Sequence, residues 1–229
     1  MIYFFNGVFM IDTNEVIQFF DRLAPDWDAG MVRNEGVIKK ILDNAGVEAG
    51  KDILDVACGT GVLIPDYMSR GVSSVTAIDI SPKMVEIARK KYFKSEKTFN
   101  SLESDVETLS RTEKNESFIS TELSIICGDV ETYEFDKLFD CIVIYNAFPH
   151  FSDPDRLIAG LAKKLKPNGT LTIAHGMSRE KINSHHKGSA SHVSNGLMPV
   201  GILVGLFAKY LSVDMYISDD RMYQVCGIL

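Results

Sequence analysis

The stretch Ile-Leu-Asp-Val-Ala-Cys-Gly-Thr-Gly at residues 53–61 decides the fold of this chain. Its short apolar run predicts a buried strand, which ends in the acid Asp55 and a glycine-rich turn. An apolar segment that begins at Val62 predicts the helix that follows. Glycines in such a turn allow the backbone to approach a ligand closely, beside the helix N-terminus. The stretch therefore predicts a strand–turn–helix unit that binds a cofactor.

The spacing of the glycines distinguishes two classes of cofactor. A dinucleotide-binding turn has the pattern G-x-G-x-x-G, in which the third glycine allows the helix to pack close to the strand. Counting from Gly59, the third position of that pattern is Ile64. The turn instead resembles the first motif of the class I S-adenosylmethionine (SAM) dependent methyltransferases, which Asp55, Ala57, Gly59 and Gly61 match. Because SAM has no phosphates, the resemblance implies close contact with its methionine and ribose portions.

The rest of the chain alternates predicted strands and helices, which favours a parallel sheet with helices on both faces. The predicted strands are residues 51–57, 72–80, 123–127, 139–145, 170–174, 212–218 and 222–228. The turn at Asp219-Asp220 is too short for a parallel crossover, so at least one of the last two strands is antiparallel. An antiparallel last strand also resembles the methyltransferase fold. We therefore expect a Rossmann-like, doubly wound α/β sheet of seven mostly parallel strands with an antiparallel last strand.

The chain length of 229 residues is typical of one domain, so we expect residues 1–229 to form a single methyltransferase domain. Within it, residues 1–46 are expected to form an N-terminal helical cap. Residues 94–121 form a polar insertion, part of which has the apolar spacing of a short helix. Residues 175–200 are expected to form a lid segment on the substrate side, because loops at the carboxyl ends of parallel strands carry function.

Composition restricts the partners and the compartment. A net charge of −7 argues against a nucleic-acid-binding surface, which needs clustered Lys and Arg. The four cysteines form no C-x-x-C pair and predict no disulfide framework, which favours a reducing, cytoplasmic location. The apolar N-terminus lacks a basic region, and no apolar run approaches the roughly 20 residues that cross a bilayer. We expect no membrane insertion, and the oligomeric state stays open.

Three further segments resemble later motifs of the same family. Asp79 ends the second predicted strand, where a carboxylate accepts both ribose hydroxyls of the cofactor. Gly128-Asp129-Val130 resembles the third motif, in which the acid faces the adenine amino group and the apolar residue packs on the ring. Asn146 ends the fourth motif, at the point where the methyl group lies. The resemblance thus implies that SAM contacts come from Asp55, Ala57, Cys58, Gly59, Gly61, Asp79, Ile80, Met84, Gly128, Asp129, Val130 and Asn146.

Three further side chains are candidates for a role near the expected methyl group. His150 follows the fourth strand and is either a general base or a structural hydrogen-bonding group. His175 ends the fifth strand and is the second candidate base. Trp27 lies in a segment that resembles the entry segment of quinone-biosynthesis-type methyltransferases. Its ring either shields the sulfonium by cation–π attraction or packs in the core.

Four of the five histidines lie within residues 175–192, which suggests a metal site at first sight. No cysteine flanks them, and the adjacent pair His185 and His186 does not face one way on a helix. We therefore predict no metal ligands in this segment.

These observations predict a SAM-dependent methyltransferase that acts on a small-molecule acceptor by in-line displacement. Two alternatives stay open at this point. A non-catalytic SAM-binding protein would keep Asp55 and Asp79 without turnover, and a nicotinamide-dependent oxidoreductase would need the third glycine. The identity of the acceptor, and whether oxygen, nitrogen, sulfur or carbon is methylated, does not follow from these motifs.

Overall fold

The computed structural model describes residues 4–5, 8–9, 11–93, 106–109, 121–188 and 190–229. Within them the strands are β1 Phe4–Phe5, β2 Val8–Phe9, β3 Asp52–Val56, β4 Ser74–Asp79, β5 Val106–Leu109, β6 Glu122–Cys127, β7 Phe139–Tyr145, β8 Leu165–His175, β9 Ser212–Ser218 and β10 Tyr223–Ile228. The α-helices are α1 Thr13–Leu23, α2 Glu35–Asn44, α3 Ile64–Ser69, α4 Pro82–Tyr92, α5 Pro154–Ala162, α6 Arg179–His186 and α7 Val200–Phe207.

Eight of these strands form one sheet in the order β5-β6-β4-β3-β7-β8-β10-β9, and β1 and β2 form a separate antiparallel pair. The five strands from β6 to β8 run parallel to one another. β10 runs antiparallel to both of its neighbours, β8 and β9. The predicted fold class is thereby confirmed, including the antiparallel last strand.

The eighth strand of the sheet is β5, which lies in the segment expected to be a polar insertion. It pairs antiparallel with β6 from Val106, opposite Ile126, to Leu109, opposite Leu123. The helical spacing seen in this segment is therefore wrong at these residues. β5 supplies backbone partners to β6, which would otherwise be an edge strand with unpaired N–H and C=O groups. Residues 94–105 and 110–120 lie outside the described residues.

Side chains of the central strands point alternately to the two faces of the sheet, and each face is covered by helices. On β3, Leu54 packs in a cluster that includes Leu157 of α5. Its neighbour Ile53 packs in a second cluster with Leu42 of α2 and Val85 of α4. This arrangement explains why the central strands are continuous apolar runs, as strands covered on both faces are.

Capping side chains fix where the helices around the carboxyl edge of the sheet begin. Asp12 accepts a hydrogen bond from the N–H of Asn14 at the start of α1. Ser81 accepts one from the N–H of Met84, and Pro82 opens α4. These caps bring α1 and α4 to the end of the sheet where β3 and β4 terminate.

Across the described ranges, each helix is too short or too polar to cross a bilayer.

Candidate cofactor and acceptor site

A cavity of about 440 Å³ lies at the carboxyl ends of β3, β4, β6 and β7, where ligands bind in open α/β sheets. Most of the predicted cofactor residues line it: Trp27, Ala57, Cys58, Gly59, Asp79, Ile80, Met84, Gly128, Asp129, Val130 and Asn146. The candidate base His150 lines it as well. Asp55, Gly61 and His175 are placed outside its lining.

The turn between β3 and α3 runs through left-handed backbone. Ala57, Gly59 and Gly61 have φ values of +54°, +56° and +82°. Ala57 carries a Cβ, and a non-glycine residue in this region costs roughly 1–2 kcal/mol. Strained backbone of this kind is concentrated at ligand sites, where the surrounding structure holds it in place. The turn is thus shaped to bring main chain against a ligand.

Gly61 has a structural rather than a contact role, and its replacement is our first prediction. A Cβ at this position would lie 2.7 Å from Ile64 Cδ1 and 2.7 Å from Tyr92 Cε2, in addition to the positive φ. We expect Gly61→Ala to lower the free energy of unfolding by about 1–3 kcal/mol, because the residue is both strained and overpacked. Urea denaturation measures this. Gly160→Ala is the control, since nothing lies within 4 Å of its Cβ on α5; an equal loss in both variants would contradict the prediction.

Asp79 lies at the end of β4, and its carboxylate stabilises the glycine turn through hydrogen bonds to the backbone. Its Oδ2 accepts the N–H of Gly59 at 2.7 Å, and its Oδ1 accepts the N–H of Ser81 at 2.8 Å. Burial raises the pKa of Asp79 to about 6, against the effect of these two hydrogen bonds. Each carboxylate oxygen has a second lone pair, so Asp79 can still accept hydrogen bonds from a ligand in the cavity.

Asp55 lies behind the turn instead of on the cavity surface. It is 2% exposed, and its Oδ2 has no hydrogen-bond partner among the described residues. The hydroxyl of Tyr67, which is also fully buried, lacks one too. Burial, together with the nearby carboxylate of Asp79, raises the pKa of Asp55 to about 8. The neighbouring hydroxyl of Tyr67 acts in the opposite direction and lowers the pKa of Asp55, so this carboxyl belongs to the packed layer behind the turn.

The raised pKa of Asp55 predicts how the stability of the ligand-free protein depends on pH. The folded state keeps this proton up to about pH 8, whereas the unfolded state loses it near the ordinary aspartate pKa of 3.8. The contribution of Asp55 is therefore lost progressively as the pH rises from about 4 to about 8. We expect Asp55→Asn to reduce the loss of unfolding free energy between pH 5 and pH 8 by about 1–3 kcal/mol. Urea denaturation at both pH values tests this.

The exposed Asp136 provides the control for that experiment, because Asp136→Asn removes a carboxyl group from the surface. We expect this control to keep the wild-type dependence of stability on pH. An Asp55→Asn protein with the wild-type dependence would show that Asp55 is ionised in the folded state, contrary to the prediction.

The third predicted motif forms the opposite wall of the cavity. Asp129 Oδ1 accepts the N–H of Glu131 at 2.9 Å, which fixes the loop after β6. Val130 is 5% exposed and belongs to the core cluster on one face of the sheet. A Cβ on Gly128 would lie 3.3 Å from the ring of Tyr133, so the loop is closely packed. The carboxylate and the apolar side chain therefore have fixed positions beside the cavity.

The N-terminal segment closes the cavity through polar contacts that sequence reasoning missed. Asp28 Oδ1 accepts the hydroxyl hydrogen of Thr60 at 2.6 Å, and Asp28 also pairs with Lys91 at 2.8 Å. Arg33, which lines the cavity, donates to the carbonyl of Val62 and forms ion pairs with Glu35 and Asp66. The segment is thus attached directly to the glycine turn. The acids and the arginine are visible in the sequence, but their distant partners are not.

Trp27 is part of this closing segment. It lines the cavity, and its ring packs edge-on against Phe20 at a centroid distance of 5.7 Å. Its Nε1 lies 4.0 Å from the Cβ position of Gly59. The ring therefore lies over the glycine turn, so an aromatic face borders the space that the cofactor is expected to fill.

His150 lies on the acceptor side of the cavity, in a short turn after β7. Its Nδ1 is 2.7 Å from the carbonyl oxygen of Val193. Because a carbonyl only accepts, Nδ1 carries the proton and Nε2 is left as an acceptor. Burial lowers the pKa of His150 to about 4, so the ring is neutral at physiological pH. The ring of Phe20 packs edge-on against it at 4.9 Å.

His175 lies at the end of β8, is fully buried and is outside the cavity lining. Burial lowers its pKa to about 3, with smaller contributions from His150 and His186. It has no direct access to an acceptor in this structure. Across the described ranges, no group of three or more His, Cys, Asp or Glu side chains is arranged to hold a metal ion.

The residues present fit SAM better than a dinucleotide. Ile64 is fully buried at the position where a dinucleotide-binding turn has its third glycine, so the helix does not pack on the strand in the way that this pattern requires. The free acceptor capacity of Asp79 suits ribose hydroxyls.

Comparison with known proteins agrees with this geometry. A family model described as a methyltransferase domain matches residues 54–173, which is more than half of the chain. The mitochondrial ubiquinone biosynthesis O-methyltransferase of Schizosaccharomyces pombe is 29% identical over 174 residues, covering 72% of this chain and 55% of that protein. The malonyl-[acyl-carrier protein] O-methyltransferase of Acetivibrio thermocellus is 30% identical over 168 residues, covering 72% and 50%. The chain thus spans about half the length of the curated relatives it matches.

Solved structures support the fold. The N-methyltransferase NodS of Bradyrhizobium japonicum, in complex with S-adenosyl-L-homocysteine, superposes with a TM-score of 0.64. The match covers 93% of this chain and 97% of that chain, at 15% sequence identity. A methyltransferase from Aquifex aeolicus, described as SAM dependent, gives a TM-score of 0.60 at 17% identity, covering 95% and 98%.

Proposed function

This chain belongs to the family of class I SAM-dependent methyltransferase domains, and on that premise we propose that it transfers the methyl group of SAM to a small acceptor in the cavity. The observation that carries the proposal is the buried carboxylate of Asp79 beneath the glycine turn. Its two oxygens fix the turn and still face a cavity of the right size for a small ligand.

We assign the cofactor to one half of the cavity because the side chains that line this half can bind its polar groups. Asp79 accepts hydrogen bonds from the ribose hydroxyls, and Asp129 accepts one from the adenine amino group, with Val130 against the ring. Arg33 acts as a positioning residue, because its ion pairs and its bond to the carbonyl of Val62 hold the closing segment in place. When bound, SAM supplies a methyl carbon activated by positively charged sulfur.

His150 is proposed as the general base for a hydroxyl acceptor. The hydrogen bond from Nδ1 to the carbonyl of Val193 holds the ring in the tautomer whose Nε2 accepts a proton. In a methyl transfer supplied by bound SAM, Nε2 of His150 would take up the proton that the acceptor hydroxyl loses. The ring is neutral before the reaction, as a base must be.

The acceptor side of the cavity indicates the class of substrate. Ile11, Val16, Phe20 and Phe151 provide mostly apolar walls there. Such walls suit a small acceptor with a flat, apolar body and a hydroxyl group near His150. The names of the two relatives describe O-methyltransferases, which supports an oxygen acceptor.

We further propose that the acceptor is not a nucleic acid and that the protein works in the cytoplasm. The net charge of −7 disfavours binding to phosphate backbones. Cys58, Cys141 and Cys226 are buried thiols outside any disulfide, which suits a reducing compartment. Salt-dependent retention of the protein on duplex DNA or RNA would contradict the first statement, and export to an oxidising compartment would contradict the second.

The experiment that tests the proposed function is a screen for methyl transfer. The purified chain is incubated with SAM and with small phenols, quinols, thiols and amines, and the release of S-adenosylhomocysteine is measured together with the mass of each product. We expect release only with an acceptor present, and a gain of one methyl group on a hydroxyl acceptor. Tight binding of SAM without turnover on any member of the panel would favour a non-catalytic SAM-binding protein.

A further inference from the structure

Two side chains beneath the segment 176–199 are buried with unpaired polar atoms. Both ring nitrogens of His175 and the hydroxyl of Tyr223 lack hydrogen-bond partners among the described residues. Both residues are fully buried. The other unpaired buried atoms belong to Asp55 and Tyr67, behind the cofactor turn. Unpaired groups are therefore found in two places, one on the cofactor side and one on the other side of β7.

His175 and Tyr223 are direct neighbours in the sheet. They are opposite each other in the antiparallel pair of β8 and β10, and their ring centroids are 6.2 Å apart. Tyr223 packs in the same cluster as Ile182 and Leu197, both from the segment that follows β8. The segment therefore packs into the same core cluster as Tyr223.

The pair also adjoins the acceptor side of the cavity. Gly176, which follows His175 in the chain, donates its N–H to Asn146 Oδ1 at 2.9 Å, and Asn146 lines the cavity. His150 lies near enough to affect the pKa of His175. One hydrogen bond therefore separates the end of β8 from the wall against which the acceptor is expected to lie.

Leaving such groups unpaired is unfavourable. Each buried polar group without a partner costs about 1–3 kcal/mol, and an apolar side chain of similar shape would avoid that cost. Because these unpaired groups lower the stability of the fold, we infer that they serve a purpose other than stability. We propose that His175 and Tyr223 form a polar subsite for a second, neutral polar group on the acceptor, remote from the hydroxyl that is methylated. This inference rests on the proposed function.

The chemistry of the pair selects a neutral group over an ionic one. Neutral histidine offers one N–H donor and one nitrogen acceptor, and the tyrosine hydroxyl does both. Burial lowers the pKa of His175 to about 3 and raises that of Tyr223, so neither side chain carries a charge near neutral pH. The positive charge of Arg179 acts on Tyr223, but its guanidinium already donates to the carbonyl of Leu197 and pairs with Glu180. A buried carboxylate would therefore lose its hydration for little compensation, and an ammonium for none. A second hydroxyl fits, because it both donates and accepts.

Access to the subsite requires the segment 176–199 to shift. Hydrogen bonds to the turn after β7 hold that segment: His150 Nδ1 donates to the carbonyl of Val193, and Asn195 donates its N–H to the carbonyl of Pro149 and its Nδ2 to the carbonyl of Phe151. The first of them connects the candidate base to the segment, so base and segment are linked by one hydrogen bond.

Binding measurements on the protein loaded with S-adenosylhomocysteine test the subsite. The probes are phenol and its three dihydroxy analogues, catechol, resorcinol and hydroquinone, which place the second hydroxyl at three distances. We expect at least one dihydroxy compound to bind the wild type about tenfold more tightly than phenol, the value of one good hydrogen bond. Tyr223→Phe should remove that advantage and leave the affinity for phenol unchanged.

Two further variants make the result decisive. His175→Phe should also remove the advantage. Tyr67→Phe, which deletes the other unpaired tyrosine hydroxyl, should keep it. Tyr223→Phe should unfold at a urea concentration equal to or above that of the wild type, since it loses only an unpaired group. An advantage that survives Tyr223→Phe, or no advantage for any of the three compounds, overturns the subsite. Binding with the expected pattern but without methyl transfer would instead reject the proposed function.

Discussion

Replacing Asp79 with alanine is expected to weaken SAM binding by about 10- to 100-fold, or about 1–3 kcal/mol. The variant loses the acceptor for the ribose hydroxyls. It also leaves the N–H groups of Gly59 and Ser81 without the carboxylate that now holds them at 2.7 and 2.8 Å. Isothermal titration with SAM measures the dissociation constant directly. The loss is expected to be the largest of any single cofactor-side substitution, because Asp79 both binds the ligand and shapes the turn.

Two companion variants separate these roles. Asp79→Asn keeps one carbonyl oxygen for the turn and should lose less affinity than Asp79→Ala. Asp214→Ala removes an exposed acid from β9, at the far edge of the sheet, and should bind SAM as the wild type does. An unchanged dissociation constant for Asp79→Ala would remove Asp79 from the cofactor site.

Replacing His150 with glutamine is expected to lower kcat with a hydroxyl acceptor by about 10²–10⁴-fold, the usual contribution of a general base. Glutamine is similar in size and can still donate to the carbonyl of Val193, but it does not take up a proton at this pH. The dissociation constant of SAM should stay the same, since His150 lies on the acceptor side. Steady-state kinetics with a hydroxyl acceptor from the screen measures both quantities.

The dependence of the methyl-transfer rate on pH tests whether His150 acts as a base. The pKa of His150 is lowered to about 4, so the ring is an acceptor above that pH and becomes protonated below it. The wild-type rate should therefore be constant near neutral pH and fall as the pH drops through about 4, in the range where the protein stays folded. His192→Gln, an exposed histidine outside the cavity lining, is the control and should keep the wild-type kinetics. Equal rates for His150→Gln and the wild type would leave the ring a structural role only.

The sequence predicted the sheet well, and it predicted which residues meet at the carboxyl edge of the sheet, because both depend on local patterns. Strands such as β7 are continuous apolar runs, and the turn at residues 57–61 follows directly from its glycines. Asp79 and Asp129 end parallel strands, and parallel strands bring their carboxyl ends to one edge of the sheet. Residues that are distant in the chain therefore meet at this edge because of the sheet topology, which the sequence pattern predicts.

Side-chain burial and long-range contacts were harder to predict. Asp55 was expected at the cofactor, but it lies behind the turn, since its strand position points it into the packed layer near Tyr67. His175 was expected as a second base, yet it is fully buried at the end of β8. The bond between Asp28 and Thr60 joins residues 32 positions apart, and no local pattern signals such a partner.

The central claim, that the cavity binds SAM, is tested most directly by equilibrium titration of the purified chain with SAM and, separately, with NAD⁺. The site predicts saturable binding of one SAM per chain, which Asp79→Ala weakens, and much weaker binding of NAD⁺, because Ile64 fills the third-glycine position. Absence of SAM binding, or tighter binding of NAD⁺ than of SAM, would contradict the account.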